Sequence, residues 1–121
     1  MDQMNSILAA VDDLMFSSRI TTAARQMGIE LSFARSPEDL MSQARAKNPG
    51  LIIFDLNATR LHPMRAIAAL KADDTLRSIT TLGFVSHVDS DIIAAARAAG
   101  IDEVLARSAF TERLGEILTT G

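Results

Sequence analysis

The sequence contains no cysteine, no tryptophan and no tyrosine. The missing thiols exclude disulfide bonds, thiolate metal sites and a cysteine nucleophile. The missing Trp and Tyr rings disfavour surfaces that stack on bases or sugars. With 12 Lys and Arg against 15 Asp and Glu, the net charge is -3, so the chain has no broad basic surface for DNA or RNA. We therefore expect no nucleic-acid partner.

Long apolar runs are also absent. The first segment, "MDQMNSILAAVDDLMF", begins with an acidic residue, and Asp12 and Asp13 interrupt its apolar run. This pattern predicts neither a signal peptide nor a membrane span, and we expect a cytoplasmic protein. At 121 residues, 48% of them hydrophobic, the chain can bury a core. Without linkers, repeats or low-complexity tracts, it is expected to form one domain over residues 1–121.

Short apolar runs recur along the chain at regular intervals. Three of them are continuous, as strands covered on both faces are, whereas "ELSFAR" alternates and suits an edge strand. The five predicted strands are "SILAAV" at 6–11, "LSFA" at 31–34, "LIIF" at 51–54, "ITTLGFV" at 79–85 and "EVLA" at 103–106. The runs therefore predict a mainly parallel sheet.

Amphipathic helical patterns separate these runs. Ser36 and Pro37 predict an N-cap and a first turn, and Gly28 and Gly100 follow helical runs where a left-handed C-terminal residue is expected. The predicted buried stripes are Phe16, Ile20, Ala23 and Met27 in the first helix and Phe110, Leu114, Ile117 and Leu118 in the last. Five alternating strand–helix pairs predict an α/β fold with helices on both faces of the sheet.

Polar side chains follow four of the predicted strands. In a parallel α/β sheet, ligands bind beyond the carboxyl ends of the strands, so these residues should share one edge. They are Asp12 and Asp13 after the first strand, Asp55 after the third, Ser86 and His87 after the fourth, and Arg107 after the fifth. The set therefore marks a candidate functional site.

Three carboxylates at one edge repel each other unless a cation lies among them. Oxygen ligands suit a hard ion such as Mg²⁺, the candidate cofactor. A carboxylate beside Mg²⁺ can attack a phosphoryl group, and Ser86 and Arg107 could hold the remaining phosphoryl oxygens. Any single Asp at a strand end is more often a turn or cap residue, and Asp12 could cap the first helix. The combination favours the functional interpretation.

Three segments of the sequence resemble a response-regulator receiver domain from Ile7 to about Leu118. "ILAAVDDLMF" resembles the first strand and acidic pair, and "LIIFDLNATR" resembles the phosphoacceptor strand. "GIDEVLARSAF" is similar to the family's Gly-Ala-x-x-Tyr-Leu-x-Lys-Pro-Phe segment. The resemblance implies a flavodoxin-like, doubly wound (βα)5 fold whose five-stranded parallel sheet has the order 2-1-3-4-5.

The resemblance also implies roles for individual residues. Asp12 and Asp13 match the metal-binding acids, and Asp55, which would bind the same ion, matches the phosphorylated aspartate. Ser86 matches the hydroxyl that contacts the phosphoryl group, and the backbone carbonyl of Asn57 matches the third protein ligand of the metal. The implied function is an atypical receiver in a two-component phosphorelay. It would not be an enzyme beyond Mg²⁺-dependent self-phosphorylation from a phosphodonor.

Departures from the family pattern lie around the same site. Arg107 stands where the family has lysine, Ser108 where it has proline, and Val104 where it has an aromatic ring that moves on activation. Arg60, in the loop after Asp55, is expected to be a solvated surface charge, with a contact to the acids as the alternative. No metal site is predicted at His62 or His87.

Three classes of function remain open. The first is the phosphorylated receiver, with a histidine kinase or phosphotransfer protein and a downstream protein as partners. The second is a pseudo-receiver that acts as a dimerisation or docking module without phosphorylation. A flavin binder or a Mg²⁺-dependent phosphatase ranks lower, because "VDDLM" repels a phosphate and "DLN" lacks the second Asp of Asp-x-Asp. The alanine-rich "DIIAAARAAG" either packs on the sheet or, with the fifth strand–helix unit, forms a homodimer surface.

Overall fold

Five parallel strands form one sheet in the order β2-β1-β3-β4-β5. The computed structural model describes residues 6–86 and 89–120 of the chain. The strands are β1 (Ser6–Ala10), β2 (Glu30–Phe33), β3 (Leu51–Asp55), β4 (Thr80–Val85) and β5 (Glu103–Ala106). This order confirms the predicted flavodoxin-like sheet, and β2 lies at an edge as its alternating pattern predicts. Asp55 is the last residue of β3 rather than the first residue after it.

Helices cover both faces of the sheet. They are α1 (Leu14–Gln26), α2 (Pro37–Lys47), α3 (Pro63–Ala72), α4 (Ser90–Ala99), α5 (Arg107–Glu112) and α6 (Leu114–Thr120), with a short 3-10 turn at Thr59–Leu61. On one face of the sheet the core includes residues of α2, α3 and α4, and on the opposite face it includes residues of α1, α5 and α6. Within residues 6–86 and 89–120, no helix is long and apolar enough to cross a membrane.

Alternate residues of the central strands enter opposite halves of the core. Leu8 and Ile52 pack under α2 and α3, whereas Ile7 and Ile53 pack under α1 and α6. Every residue of β3 is buried, which is why its sequence is continuously apolar until Asp55. The two-sided burial of the central strands therefore explains the apolar runs in the sequence.

The predicted helix stripes are partly correct. In α1 the buried residues are Phe16, Ile20 and Ala24, and Ala23 is half-buried against the same core; the prediction of Met27 was wrong, since Met27 is exposed. A spacing of four residues keeps this helix face on the sheet along its length. The last stripe is fully buried, but Arg113 separates it into two helices, α5 and α6, rather than the single one that was expected.

The predicted helix ends agree with the structure. The hydroxyl of Ser36 accepts a hydrogen bond from the amide of Asp39 at 3.0 Å, and Pro37 is the first residue of α2. Gly28 and Gly100 have φ of 70° and 105°, the left-handed region that favours glycine. Gly100 ends α4 and turns the chain toward β5.

A hydrogen-bonded brace joins β4, β5 and α3 at the amino edge of the sheet, opposite Asp55. Asp102 Oδ2 accepts bonds from the Thr81 amide at 2.8 Å, the Thr81 hydroxyl at 3.0 Å and Lys71 Nζ at 3.1 Å. Burial by itself would raise the pKa of Asp102, but the bonds from Thr81 and Lys71 outweigh it and lower the pKa. The brace therefore fixes the edge strand β5.

We expect Asp102→Ala to lower the free energy of unfolding by about 1–2 kcal/mol at neutral pH, because it leaves the buried Thr81 without its carboxylate acceptor. A carboxyl group with a lowered pKa stabilises the fold above its ordinary pKa and loses this effect as the pH falls through the lowered value. The difference between the two proteins should thus shrink on acidification. Urea unfolding measures this difference in the free energy of unfolding, with Asp74→Ala, at an exposed residue, as a control. Equal losses of free energy of unfolding in both variants would contradict the stabilising role of the brace.

Candidate functional site

The predicted site residues meet at the carboxyl edge of the sheet. Asp55 ends the central strand β3 and is paired in register with Phe84 of β4. Asp13 follows β1, Ser86 follows β4, and Arg107 follows β5. The topology therefore brings together side chains that are as much as 94 residues apart in the sequence.

Asp55 is the buried charge of this edge, with only 7% of the residue exposed. Its Oδ1 atom accepts a hydrogen bond from the amide of Asn57 at 3.0 Å. Burial raises the pKa of Asp55, the bond from Asn57 and the charge of Arg107 oppose that rise, and the charges of Asp13 and Asp12 add to it. The carboxylate thus lies in a desolvated position beside two further acids.

Asp13 has two separate partners. Its Oδ1 accepts a bond from the amide of Phe16 at 3.1 Å, so that Asp13 is the N-cap of α1. Its Oδ2 is 2.8 Å from Nη2 of Arg107. The bond from Arg107, followed by that from Phe16, lowers the pKa of Asp13. The suggestion that Asp12 caps the helix was wrong, because its neighbour fills that position.

Arg107 joins the acids to the aromatic core. Its guanidinium carbon lies 4.4 Å from the centre of the Phe16 ring, a cation–π arrangement that a planar guanidinium can combine with a bond to Asp13. The Phe16 ring in turn lies 4.6 Å from that of Phe84 and 5.5 Å from that of Phe110, measured between ring centres. Arg107 is therefore held from two directions.

Arg60 is the second arginine at this edge. Its Nη2 atom lies 3.1 Å from Oδ1 of Asp12, although 78% of the arginine side chain is exposed. Arg60 is the solvated surface charge that was expected, and it also makes the contact to the acids that was the alternative. The 3-10 turn at Thr59–Leu61 carries Arg60 toward β1.

Asn57 and Ser86 connect the loops that follow β3 and β4. The amide of Ser86 donates to Oδ1 of Asn57 at 2.7 Å, and the carbonyl of Asn57 accepts from the amide of Thr59 at 2.9 Å. The Ser86 residue itself is exposed, on the wall of an open groove of about 920 Å³ that Asp13 and Arg107 also line. A ligand in this groove could contact the hydroxyl and the guanidinium together.

The oxygen donors at this edge have the chemistry of a site for a hard divalent cation. Within the described residues, no three Asp, Glu, His or Cys side chains lie close enough to hold a metal as a group. Mg²⁺ commonly takes only one or two carboxylates, so the donor set still fits it. One oxygen each of Asp12 and Asp13 already contacts an arginine, however.

Several contacts of the site did not follow from the sequence analysis. Asn57 was assigned a role only for its backbone carbonyl, whereas its side chain accepts a hydrogen bond from the amide of Ser86. Phe16 was assigned to the core alone, yet its ring also carries Arg107. The tendency of Asn to bond nearby amides was the available signal for the first contact. His62 is exposed before α3, and His87 lies outside the described residues.

The same fold occurs in solved structures of response regulators. The regulator from Hahella chejuensis has a TM-score of 0.82 and 18% sequence identity, over 95% of this chain and 92% of that one. The phosphorylated cyanobacterial phytochrome response regulator RcpA has a TM-score of 0.78 and 21% sequence identity, over 96% of this chain and 89% of that one. The Mn²⁺-bound form of response regulator Rcp1 has a TM-score of 0.74 and 19% sequence identity, over 94% of this chain and 88% of that one.

These structures confirm the resemblance to receiver domains at the level of the fold. No protein-family model matches the chain, and no curated protein is significantly similar to it in sequence. The identities to the three solved structures are 21% or less, so the roles of individual residues rest on the geometry of this chain.

We expect Asp55→Asn to raise the free energy of unfolding by about 1 kcal/mol at neutral pH, a size ordinary for one substitution. The variant removes a buried charge beside two acids, and its amide oxygen can still accept the bond from Asn57. A carboxyl group with a raised pKa destabilises the fold once it is ionised, so the gain should vanish below its ordinary pKa. Thermal unfolding at several pH values measures this, with the exposed Asp91→Asn as a control. A loss of stability in the variant would contradict the assignment of Asp55 as a costly buried charge.

Proposed function

We propose that this chain is an atypical receiver module of two-component signalling, in which Asp55 accepts a phosphoryl group and the phosphorylated form binds a protein partner differently. The observation that carries this proposal is the desolvated carboxylate of Asp55 at the end of β3, beside two further acids. A hydroxyl after β4 and a guanidinium after β5 lie on a groove at the same edge. The receiver fold of the chain supports it as well.

The chain's own residues suit acceptance of a phosphoryl group from phosphohistidine. The amide of Asn57 holds one oxygen of Asp55, which orients the carboxylate toward the incoming phosphorus. A bond forms between a carboxylate oxygen and phosphorus while the bond between phosphorus and the imidazole nitrogen breaks, and that nitrogen keeps the electron pair. Ser86 and Arg107 would contact the transferred phosphoryl oxygens.

Asp12, Asp13, Asp55 and the carbonyl of Asn57 would hold Mg²⁺ in this proposal. The ion would neutralise the charge that develops on the phosphoryl oxygens. The neighbour Rcp1 has been solved with Mn²⁺, and the neighbour RcpA in a phosphorylated form. Both findings support a metal and a phosphoryl group at a receiver fold.

The change in shape would differ from that of a receiver with a mobile aromatic ring. Val104 is half-buried in β5, and a β-branched side chain with a restricted χ1 cannot swing as an aromatic ring does. Arg107 contacts both an acid and the Phe16 ring, and a phosphoryl group on Asp55 would compete with the acid for its guanidinium. We therefore assign the response to phosphorylation to Arg107 rather than to residue 104.

The partners in this proposal are a histidine kinase or phosphotransfer protein and a downstream protein, in the cytoplasm. Leu14 and Met15, which follow the acid pair at the start of α1, are 85% and 75% exposed, so a partner that reaches the acids could contact them. In α4 only Ala96 is fully buried, so the alanine-rich helix offers a face for a homodimer together with β5 and α5. Beyond self-phosphorylation the module would have no enzyme activity.

A second candidate is a module that binds partners without phosphorylation. The two arginine contacts favour it, because they already partner the acids that a metal would need. In this case the receiver fold would serve as a constant docking or dimerisation surface. Whether Asp55 accepts a phosphoryl group distinguishes the receiver from the module that binds partners without phosphorylation.

Incubation with Mg²⁺ and acetyl phosphate should add one phosphoryl group to the chain, since Asp55 is the desolvated carboxylate at the end of β3 on which the charges of Asp12, Asp13 and Arg107 act. Intact mass spectrometry measures the gain. Asp55→Asn should abolish it, and the exposed Asp91→Asn should not. No gain in the wild-type chain, or an equal gain in Asp55→Asn, would exclude Asp55 as the acceptor and favour the second candidate.

A further inference from the structure

Each acid of the pair after β1 has an arginine partner from a distant part of the chain. Arg60, 48 residues from Asp12, lies in the turn after β3, and Arg107, 94 residues from Asp13, begins α5. The two distances between nitrogen and oxygen are 3.1 and 2.8 Å. The turn after β3 and the start of α5 therefore place positive charge beside the same pair of acids.

The total charge of this cluster equals that of a metal-bound one. When Asp12, Asp13 and Asp55 are ionised, two guanidinium groups leave the same net charge as one divalent cation would. The arginines thus relieve the repulsion that predicts a metal at this edge of the sheet. A divalent cation added beside both arginines would instead meet two positive charges at close range.

The contact of Arg107 is the stronger of the two. Only 33% of its side chain is exposed, and it also stacks on the Phe16 ring. Arg60 is mostly exposed, and solvent-exposed ion pairs contribute little. The Phe16 amide occupies Oδ1 of Asp13 as a helix cap, so Oδ2 is the oxygen for which Arg107 and a cation would compete.

We infer that Arg107 and Arg60 are resident counter-ions of the acid pair, and that a divalent cation binds this edge only by displacing them, Arg107 above all. The inference rests on the proposed function only in taking Asp12 and Asp13 as the metal's ligands. Lysine at position 107 would place its charge on a compact ammonium that lacks the planar stacking surface of a guanidinium. The arginine therefore makes the metal-free form of this edge the more stable one.

Binding of Mn²⁺ alone, followed by electron paramagnetic resonance of the free ion, tests this competition. Arg107→Met removes the charge but keeps an apolar stem over Phe16, and it should tighten binding by about tenfold. Arg60→Met should tighten it by about twofold. The control is Arg45→Met, which breaks the exposed 2.8 Å pair with Asp73 and should leave the affinity unchanged.

If the inference holds, the tighter Mn²⁺ binding of the Arg107→Met variant depends on the carboxylate of Asp13. Adding Asp13→Asn to the Arg107→Met variant should return the affinity to the wild-type value or below. Circular dichroism and thermal unfolding without metal establish that each variant is folded, and Arg107→Gln replaces Arg107→Met if the latter is not.

Three results would overturn the inference. They are unchanged or weaker Mn²⁺ binding in the Arg107 variant, a gain in Mn²⁺ affinity that persists when Asp13→Asn is added, and no Mn²⁺ binding by the wild type or any variant.

Phosphorylation of Asp55 is a separate measurement that distinguishes this inference from the proposed function. Tighter binding in the Arg107 variant, with no phosphoryl group ever added to Asp55, would support the counter-ions while the proposed function fails. Phosphorylation of Asp55, with the same Mn²⁺ affinity in the Arg107 variant as in the wild type, would support the proposed function and overturn the counter-ion inference.

Discussion

The carboxylate of Asp55 is the constraint on which the carboxyl edge of the sheet depends. β3 is buried along its whole length, so its last side chain places a charge where little water reaches it. Such a charge needs hydrogen-bond donors and nearby cations. The amide of Asn57 supplies the first, and the field of Arg107 supplies the second. The loop after β3 and the start of α5, which carry these groups, thereby interact with the end of the central strand.

The electrostatics of this edge are also tied to the aromatic core. Asp13 and Phe16 belong to the first turn of α1, and Arg107 contacts both of them. The Phe16 ring packs on that of Phe84, which is the register partner of Asp55. A change in the charge of the acids therefore acts on Arg107, which packs on the Phe16 ring of α1, and not on a solvated group alone.

Local patterns were sufficient to predict the sheet and the set of polar residues at its edge. Strands buried on both faces must be continuously apolar, and parallel strands present their carboxyl ends together, so runs such as "LIIFD" locate both. Which arginine pairs with which acid was not predictable, because Arg60 and Arg107 reach the acids through long side chains across 48 and 94 residues. The choice of Asp13 over Asp12 as cap, and the break at Arg113, depend on where each helix packs on the sheet.

In the proposed function, Arg107 would stabilise the unphosphorylated form through its contacts with Asp13 and Phe16 and would also respond to a phosphoryl group on Asp55. A phosphoryl group on Asp55 would add nearly two negative charges to an edge where three acids already outnumber two arginines. Arg107 lines the groove and its charge acts on Asp55, and a guanidinium binds phosphoryl oxygens through two parallel bonds. Its movement to such a group would release Asp13 and uncover the Phe16 ring in one step. A receiver with valine at position 104 would thus still have a side chain whose position depends on the state of Asp55.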